Sequence, residues 1–153
     1  MRDVDEVSGA IVDAALRLHT RLGPGLLESV YEVLLARMLE KRGLSVERQL
    51  PVTFEMDGIR FEEGFRVDLL VDKRIVVELK SVEKLADVHP KQLLTYLRLL
   101  DLRVGLLINF GAARMKDGIH RIVNGHTPST ASPLRLHKSP MQFSATSAPP
   151  RDT

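Results

Sequence analysis

The chain has 153 residues, of which 44% are hydrophobic and 27% charged, and these values predict one globular domain with its own core. It contains no cysteine, which excludes disulfides, thiolate zinc sites, iron–sulfur clusters and cysteine nucleophiles. The net charge of +2 comes from residues 126–153, because residues 1–125 hold 19 Lys and Arg against 19 Asp and Glu. Overall charge therefore gives no argument for nucleic-acid binding, which has to rest on a local site.

The end of the chain differs in composition from the rest. Residues 126–153 are rich in Ser, Thr, Pro and Ala, which predicts a disordered tail after a domain over residues 1–125. No stretch approaches the ~20 apolar residues of a membrane span, and the charged start leads into no secretory apolar run. We therefore expect no membrane partner and a cytoplasmic location.

Two helices open the predicted domain. The first carries an apolar stripe at helical spacing and ends at Gly23-Pro24-Gly25. The stripe consists of Val7, Ile11, Ala14, Ala15, Leu18 and Leu22. The second helix runs from about Leu26 to Arg42, with Gly43 just past its end.

Strands dominate the middle of the chain. Strand-like segments cover residues 44–54, 59–62, 64–71 and 75–81, with a turn at Asp57-Gly58. Pro90 suits the first turn of a third helix that continues over residues 91–100. Strands at residues 103–110 and 118–123 follow. This order predicts a mixed α/β (α+β) fold with a mostly antiparallel start.

Residues 65–80 predict a β-hairpin. Alternation places Phe65, Val67, Leu69, Val71, Ile75, Val77 and Leu79 on one apolar face, and Arg66, Asp68, Leu70, Val76, Glu78 and Lys80 on the other. With a three-residue loop at residues 72–74, Val71 pairs with Ile75, Asp68 lies opposite Glu78, and Arg66 lies opposite Lys80. A two-residue turn would split the apolar set, so burial selects the three-residue loop.

The facing carboxylates allow two interpretations. Side by side on two strands, Asp68 and Glu78 repel each other, and a hard cation such as Mg²⁺ would remove that penalty. The cation could polarise a phosphate oxygen and activate water, and Lys80 on the same face could stabilise the developing negative charge. This interpretation predicts phosphodiester hydrolysis. The alternative is a surface lattice in which Asp68 pairs with Lys80 and Glu78 with Arg66.

The second helix offers a third carboxylate. Glu28 lies in its first turn, where it either favours the helix dipole or supplies an oxygen ligand to the metal. Tyr31 shares the face of Glu28 and could hold it. Glu32 is the competing candidate, which we interpret as a solvated helix residue.

The third helix adds a polar pair. Gln92 and Tyr96 share one face, and either border the core with their polar ends in water or position a water or phosphate at the strand ends. His19 and His89 are isolated, which favours structural or exposed roles over metal ligation. Without cysteines or a paired histidine, we expect no zinc site.

With these residues the chain resembles the GxxExxY family of the PD-(D/E)xK nuclease superfamily, close to its RecB-like exonuclease branch. The resemblance covers residues 5–124. The family motif is Gly25-Leu26-Leu27-Glu28-Ser29-Val30-Tyr31, and the nuclease motif is Val67-Asp68 followed by Val77-Glu78-Leu79-Lys80. The Gln92-to-Tyr96 spacing matches, as do residues 105–111 and 118–123. Val67 stands where the superfamily has proline, on an apolar face where little effect on chemistry is expected.

The resemblance implies a restriction-endonuclease-like core, a central mixed sheet flanked by helices. It implies a DNA nuclease in which Glu28, Asp68 and Glu78 bind Mg²⁺ or Mn²⁺. The catalytic residues it implies are Asp68, Glu78, Lys80, Gln92 and Tyr96. Two alternatives stay open: a catalytically silent nucleic-acid-binding or protein-interaction module with the same fold, and a nuclease that needs a partner protein or a second copy.

Overall fold

A five-stranded mixed sheet forms the centre of the computed structural model, which describes residues 2–125. The elements are α1 (Val4–Leu22), α2 (Glu28–Lys41), β1 (Val46–Met56), β2 (Ile59–Val71), β3 (Ile75–Lys80), α3 (Val88–Leu100), β4 (Val104–Asn109), α4 (Met115–Gly118) and β5 (Ile119–Val123). The strands lie in sequence order, with β3 and β4 parallel and the other neighbours antiparallel. The predicted mixed sheet with flanking helices is confirmed. The predicted tail lies outside the described residues.

Two details of the predicted element order were wrong. Residues 59–62 and 64–71 form one continuous strand, β2. The break predicted between the two segments is a shift in the pairing register with β1, between Val52 and Phe54. The short helix α4 was not predicted. Its four residues are too few for a helical period to appear in the sequence. No helix between residues 2 and 125 is both long enough and apolar enough to cross a membrane.

Helices cover both faces of the sheet. On one face α1 and α2 pack against the middle of the sheet, and on the other α3 is the helix that the described residues supply. The first cluster includes Val7, Ile11, Tyr31, Leu35, Leu39, Leu69, Val71, Ile75, Val77, Leu79, Leu106 and Ile108. The second consists of Leu50, Val52, Val67, Leu70, Val76, Leu93, Leu97, Leu100 and Leu107.

The predicted hairpin register is confirmed next to the loop, where Val71 pairs with Ile75 and Leu69 with Val77. The ladder of β2 and β3 ends there, so it does not include the predicted pairs Asp68–Glu78 and Arg66–Lys80. The predicted faces were wrong in part. Val67 and Phe65 belong to the α3 side, together with Leu70 and Val76, whose face was predicted to be polar.

The alternation of side chains reverses at Asp68. It reverses in β1 as well, where Val46 packs on the α1–α2 side and Leu50 on the α3 side. Between them Gln49 has φ 49°, the left-handed conformation that a non-glycine residue rarely adopts. Because the pairs on either side are Arg48–Leu69 and Leu50–Val67, Gln49 lies opposite Asp68. The reversal in both strands therefore falls at the candidate site.

The segment after β3 is fixed by Asn109 and Gly111. The Asn109 side-chain oxygen accepts hydrogen bonds from the N–H groups of Val82 and Gly111, each at 3.0 Å, and its Nδ2 donates to the Val82 carbonyl at 2.9 Å. A Cβ on Gly111 would collide with the Val82 carbonyl oxygen and lie 2.6 Å from the Val82 nitrogen. Glycine is therefore required here by close backbone approach.

Replacing Gly111 with alanine is expected to lower the free energy of unfolding by about 2 kcal/mol, because two backbone segments must move apart. Urea denaturation measures the change. The matched control is Gly9→Ala, at an exposed helical position where a Cβ meets nothing within 4 Å. That variant should be more stable than wild type by up to about 1 kcal/mol. Equal stability of Gly111→Ala and wild type would contradict the packing described.

Candidate active site

Strands β2 and β3 separate beyond the Leu69–Val77 pair, and two carboxylates occupy the opening. The Asp68 N–H donates to Glu78 Oε2 at 2.9 Å, and the Leu79 N–H donates to Asp68 Oδ2 at 2.8 Å. Beyond this point β3 pairs with β4 and β2 pairs with β1. The side chains thus accept main-chain N–H groups that the separating strands leave without a ladder partner. Asp68 and Glu78 lie together, as the hairpin register predicts.

Glu78 is the more buried of the two acids, with 7% of its surface exposed. Burial raises the pKa of its carboxyl to about 8, and the neighbouring charges of Asp68 and, less strongly, Glu32 act in the same direction. The Asp68 N–H and the Lys80 ammonium oppose this rise. Within residues 2–125, Glu78 Oε1 makes no hydrogen bond. Below about pH 8 the Glu78 carboxyl therefore keeps its proton, and its Oε1 is left without a hydrogen-bond partner among these residues.

Helix α2 contributes Glu32 to this surrounding, which corrects its interpretation as a solvated residue. Glu32 is 5% exposed. Its Oε2 accepts Arg48 Nε at 3.1 Å, and its Oε1 accepts Gln49 Nε2 at 2.7 Å. Gln49 Nε2 also donates to Asp68 Oδ1 at 3.2 Å, so one amide joins both carboxylates. Burial raises the pKa of Glu32, and the Asp68 charge adds to the rise against the hydrogen bonds of Gln49 and Arg48.

A sequence signal for Glu32 existed. It lies three, four and seven residues before the buried Leu35, Ala36 and Leu39, so it shares the apolar stripe of α2. A carboxylate in such a stripe needs partners in the fold. These are supplied by β1, through Arg48 and Gln49, and are distant in the sequence.

Glu28, the predicted third ligand, is exposed in the first turn of α2. That position is accounted for by the favourable helix dipole. The carboxylates whose charges act on the pKa of Glu78 are Asp68 and Glu32. The structure thus places Glu32 beside the pair in the strand opening, while Glu28 lies exposed at the start of α2.

Tyr31 was expected to hold Glu28, but its hydroxyl bonds to the loop before α2 instead. Its hydroxyl donates to the Gly23 carbonyl at 2.6 Å and accepts the Leu26 N–H at 3.1 Å, while its ring stacks on Phe110 with centroids 4.3 Å apart. The Leu26 carbonyl in turn accepts Ser81 Oγ at 2.6 Å. The loop is therefore tied to the end of β3, directly after Lys80.

The surface lattice considered as the alternative is not formed. Arg66 binds Glu63, with nitrogen–oxygen distances of 3.0 and 2.6 Å, and donates to the Gln49 carbonyl. Lys80 is half-buried and makes no ion pair with any residue in the 2–125 range. Its charge acts on Glu78 from the same end of the site. The ammonium is therefore available to a ligand.

Of the polar pair on α3, Tyr96 is the residue on which the charges of the two acids act. It is half-buried, and burial together with the charges of Glu78 and Asp68 raises the pKa of its hydroxyl. Its ring stacks on Phe65 with centroids 4.3 Å apart. Gln92 is exposed one turn earlier. The histidines have structural partners: His19 Nε2 lies 2.9 Å from the Ala112 carbonyl oxygen, and His89 Nδ1 accepts the Ala86 N–H.

Asp68 and Glu78 fit a hard divalent cation by their chemistry. Both offer carboxylate oxygens, and Glu78 Oε1 makes no hydrogen bond within residues 2–125. A cation bound there would displace the proton that burial holds on Glu78. Among the described residues, no three His, Asp or Glu side chains are already gathered as a metal centre. The structure therefore supplies a pair of ligands with Glu32 behind it, joined to Asp68 through Gln49.

Comparison with known proteins gives one result. A family model described as the PD-(D/E)XK nuclease superfamily matches residues 5–122. The matched range runs from the start of α1 into β5 and contains every residue of the site. No curated protein and no solved structure matches the chain.

Proposed function

The chain belongs to the PD-(D/E)XK nuclease superfamily, and from this premise we propose that it is a metal-dependent nuclease that hydrolyses phosphodiester bonds in DNA. One observation carries the proposal. The carboxylates of Asp68 and Glu78 fill the opening between β2 and β3, and the charge of Lys80 acts on the same point. Acid pairs in an ordinary sheet are kept apart or neutralised by arginine or lysine. Here the nearby Arg66 is engaged by Glu63 instead.

In this proposal Asp68 and Glu78 hold Mg²⁺ or Mn²⁺. When bound, such a cation polarises a phosphate oxygen and lowers the pKa of a coordinated water. The Lys80 ammonium stabilises the negative charge that develops on the phosphate. The Tyr96 hydroxyl, whose pKa the charges of Glu78 and Asp68 help to raise, orients water or phosphate, and Gln92 extends the same helix face towards solvent.

Glu32 serves as a positioning residue. Gln49 Nε2 joins it to Asp68, so Glu32 fixes the amide that orients the Asp68 carboxylate. The family resemblance assigns the third ligand to Glu28, which the contacts do not favour. Since the two acids lie one turn apart on α2, they form a matched pair for testing.

Glu32→Gln is expected to lower the rate of metal-dependent cleavage by about 10–100-fold, the usual effect of losing a group that supports a metal ligand. Glu28→Gln should stay within about threefold of wild type, because an exposed first-turn acid mainly stabilises the helix. Initial rates over a range of metal concentration separate a weaker metal affinity from a slower reaction. A loss on Glu28→Gln equal to that on Asp68→Asn would instead make Glu28 a ligand.

The proposal itself is tested with the purified chain and end-labelled single-stranded DNA, double-stranded DNA and RNA of one sequence. Cleavage is expected with Mg²⁺ or Mn²⁺ and should disappear with a chelator. Repeating the assay over a range of protein concentration tells a chain that acts alone from one that needs a second copy. No cleavage with any metal, together with no rise in melting temperature on adding metal, would overturn the proposal and favour the silent binding module.

A further inference from the structure

Four aromatic rings lie in succession from the β1–β2 hairpin to the candidate active site. The ring centroids of Phe61 and Phe54 are 5.1 Å apart, those of Phe54 and Phe65 6.5 Å, and those of Phe65 and Tyr96 4.3 Å. We call these four residues the aromatic row. Phe61 is 43% exposed, and the other three are partly exposed. Phe65 and Tyr96 also pack against the cluster beneath α3, so the row is a partly buried strip whose most exposed ring is Phe61.

The four rings differ in how much of their surface packs against the rest of the fold. Phe54 covers the backbone of Gly64, where a Cβ would collide with its ring. The ring thereby shields the backbone of a strand glycine from water. Phe65 packs against the cluster beneath α3. Phe61 is the cross-strand partner of Phe54 and stacks on it, but almost half of its surface remains in water.

The row ends on the strand that carries Asp68. Tyr96 stacks on Phe65, and Phe65 lies on β2 three residues before Asp68. A ligand lying along the row would thus arrive at the opening between β2 and β3.

Charge along the hairpin is balanced. Arg60 pairs with Glu62 at 2.8 Å and Arg66 with Glu63 at 2.6 Å. Contacts to phosphates from free arginines are therefore few, and affinity for a nucleic acid would have to come from stacking of bases. A duplex hides its base faces, whereas an unpaired strand presents them.

We propose that the aromatic row binds an unpaired DNA strand by base stacking and leads it to Asp68 and Glu78. The substrate class is then single-stranded DNA or a duplex with a single-stranded end. The inference rests on the proposed nuclease function for the reaction at the end of the row. Binding along the row does not require that reaction.

Binding is measured by fluorescence anisotropy with a labelled oligothymidine, an oligouridine and a DNA duplex, in a chelator so that metal-dependent cleavage does not interfere. Phe61→Leu should weaken binding of oligothymidine by about five- to tenfold and leave duplex binding within about twofold. Ile59→Ala is the matched control, since Ile59 lies on the same hairpin, is 58% exposed and has no ring. It should leave both affinities unchanged. The dependence of log affinity on log salt should be shallow, with a slope of about −1 to −2.

A second variant reports stacking directly. The chain contains no tryptophan, so Phe61→Trp places a single indole in the row. Oligothymidine should quench its emission and duplex should not, while affinity stays at least as high as in wild type. Equal loss of single-strand and duplex binding in Phe61→Leu, or a steep salt slope that the variant does not change, would overturn the inference. Oligouridine bound more tightly than oligothymidine would overturn its choice of DNA.

The outcomes separate this inference from the proposed function. Single-strand binding that depends on Phe61 in a chain that cleaves nothing would contradict the nuclease and keep the row as a binding site. Cleavage that depends on Asp68, together with a binding affinity that Phe61→Leu does not change, would support the nuclease function and contradict the aromatic row as a binding site.

Discussion

Replacing Lys80 with alanine is expected to lower the single-turnover rate of Mg²⁺-dependent DNA cleavage by about 10²–10⁴-fold while leaving the fold intact. The reason is its unusual position. Lys80 is the last residue of β3, is half-buried and, within residues 2–125, forms no ion pair. An ammonium held near Glu78 without a partner contributes little to stability. Its charge is available to the phosphate in the transition state.

The control is Lys84→Ala, an exposed lysine four residues further along the chain. It should keep the wild-type rate, and both variants should melt within a few degrees of wild type. Lys80→Arg distinguishes charge from geometry, because a guanidinium keeps the charge but not the compact donor, and partial activity is expected. Cleavage by Lys80→Ala at the wild-type rate would remove Lys80 from the reaction.

Part of the site could be predicted from the sequence because local rules determine it. The apolar alternation from Leu69 to Leu79 and a three-residue loop place Asp68 beside Glu78, and the structure has this register. The same alternation failed at Val67, since the sheet reverses its faces at Gln49 and Asp68. Nothing about a glutamine predicts a left-handed φ. In that conformation its side chain binds both Glu32 and Asp68, which lie far from it in the sequence.

The family motif on α2 shows a similar limit. Its tyrosine, Tyr31, binds the loop at Gly23 and Leu26, and this loop is tied to Ser81 after β3. The motif therefore fixes a connection beside the site, whereas the acid with buried partners is Glu32. Spacing alone could not distinguish the two acids, because the partners of Glu32 come from β1.

Glu78→Gln is expected to stabilise the metal-free protein at neutral and alkaline pH. The pKa of Glu78 is about 8 in the folded protein, against 4.5 for an ordinary glutamate. Between these values the folded chain holds a proton that the unfolded chain has lost. Stability therefore falls as the pH rises from about 4.5 and levels off above about 8, by roughly 3–5 kcal/mol from this group. Glutamine keeps an oxygen that accepts the Asp68 N–H but carries no charge, so the fall should become much shallower.

A divalent cation should reverse this order of stability. Its positive charge stabilises the ionised form of the buried Glu78 carboxyl. Millimolar Mg²⁺ should therefore raise the melting temperature of wild type near pH 8 and release protons from Glu78. Glu78→Gln should show neither effect. Melting curves from about pH 5 to about pH 9, with and without Mg²⁺, measure both, and Glu83→Gln at an exposed position is the control. A wild-type stability independent of pH over this range, unaffected by Mg²⁺, would mean that Glu78 is neither strained by its burial nor a metal ligand.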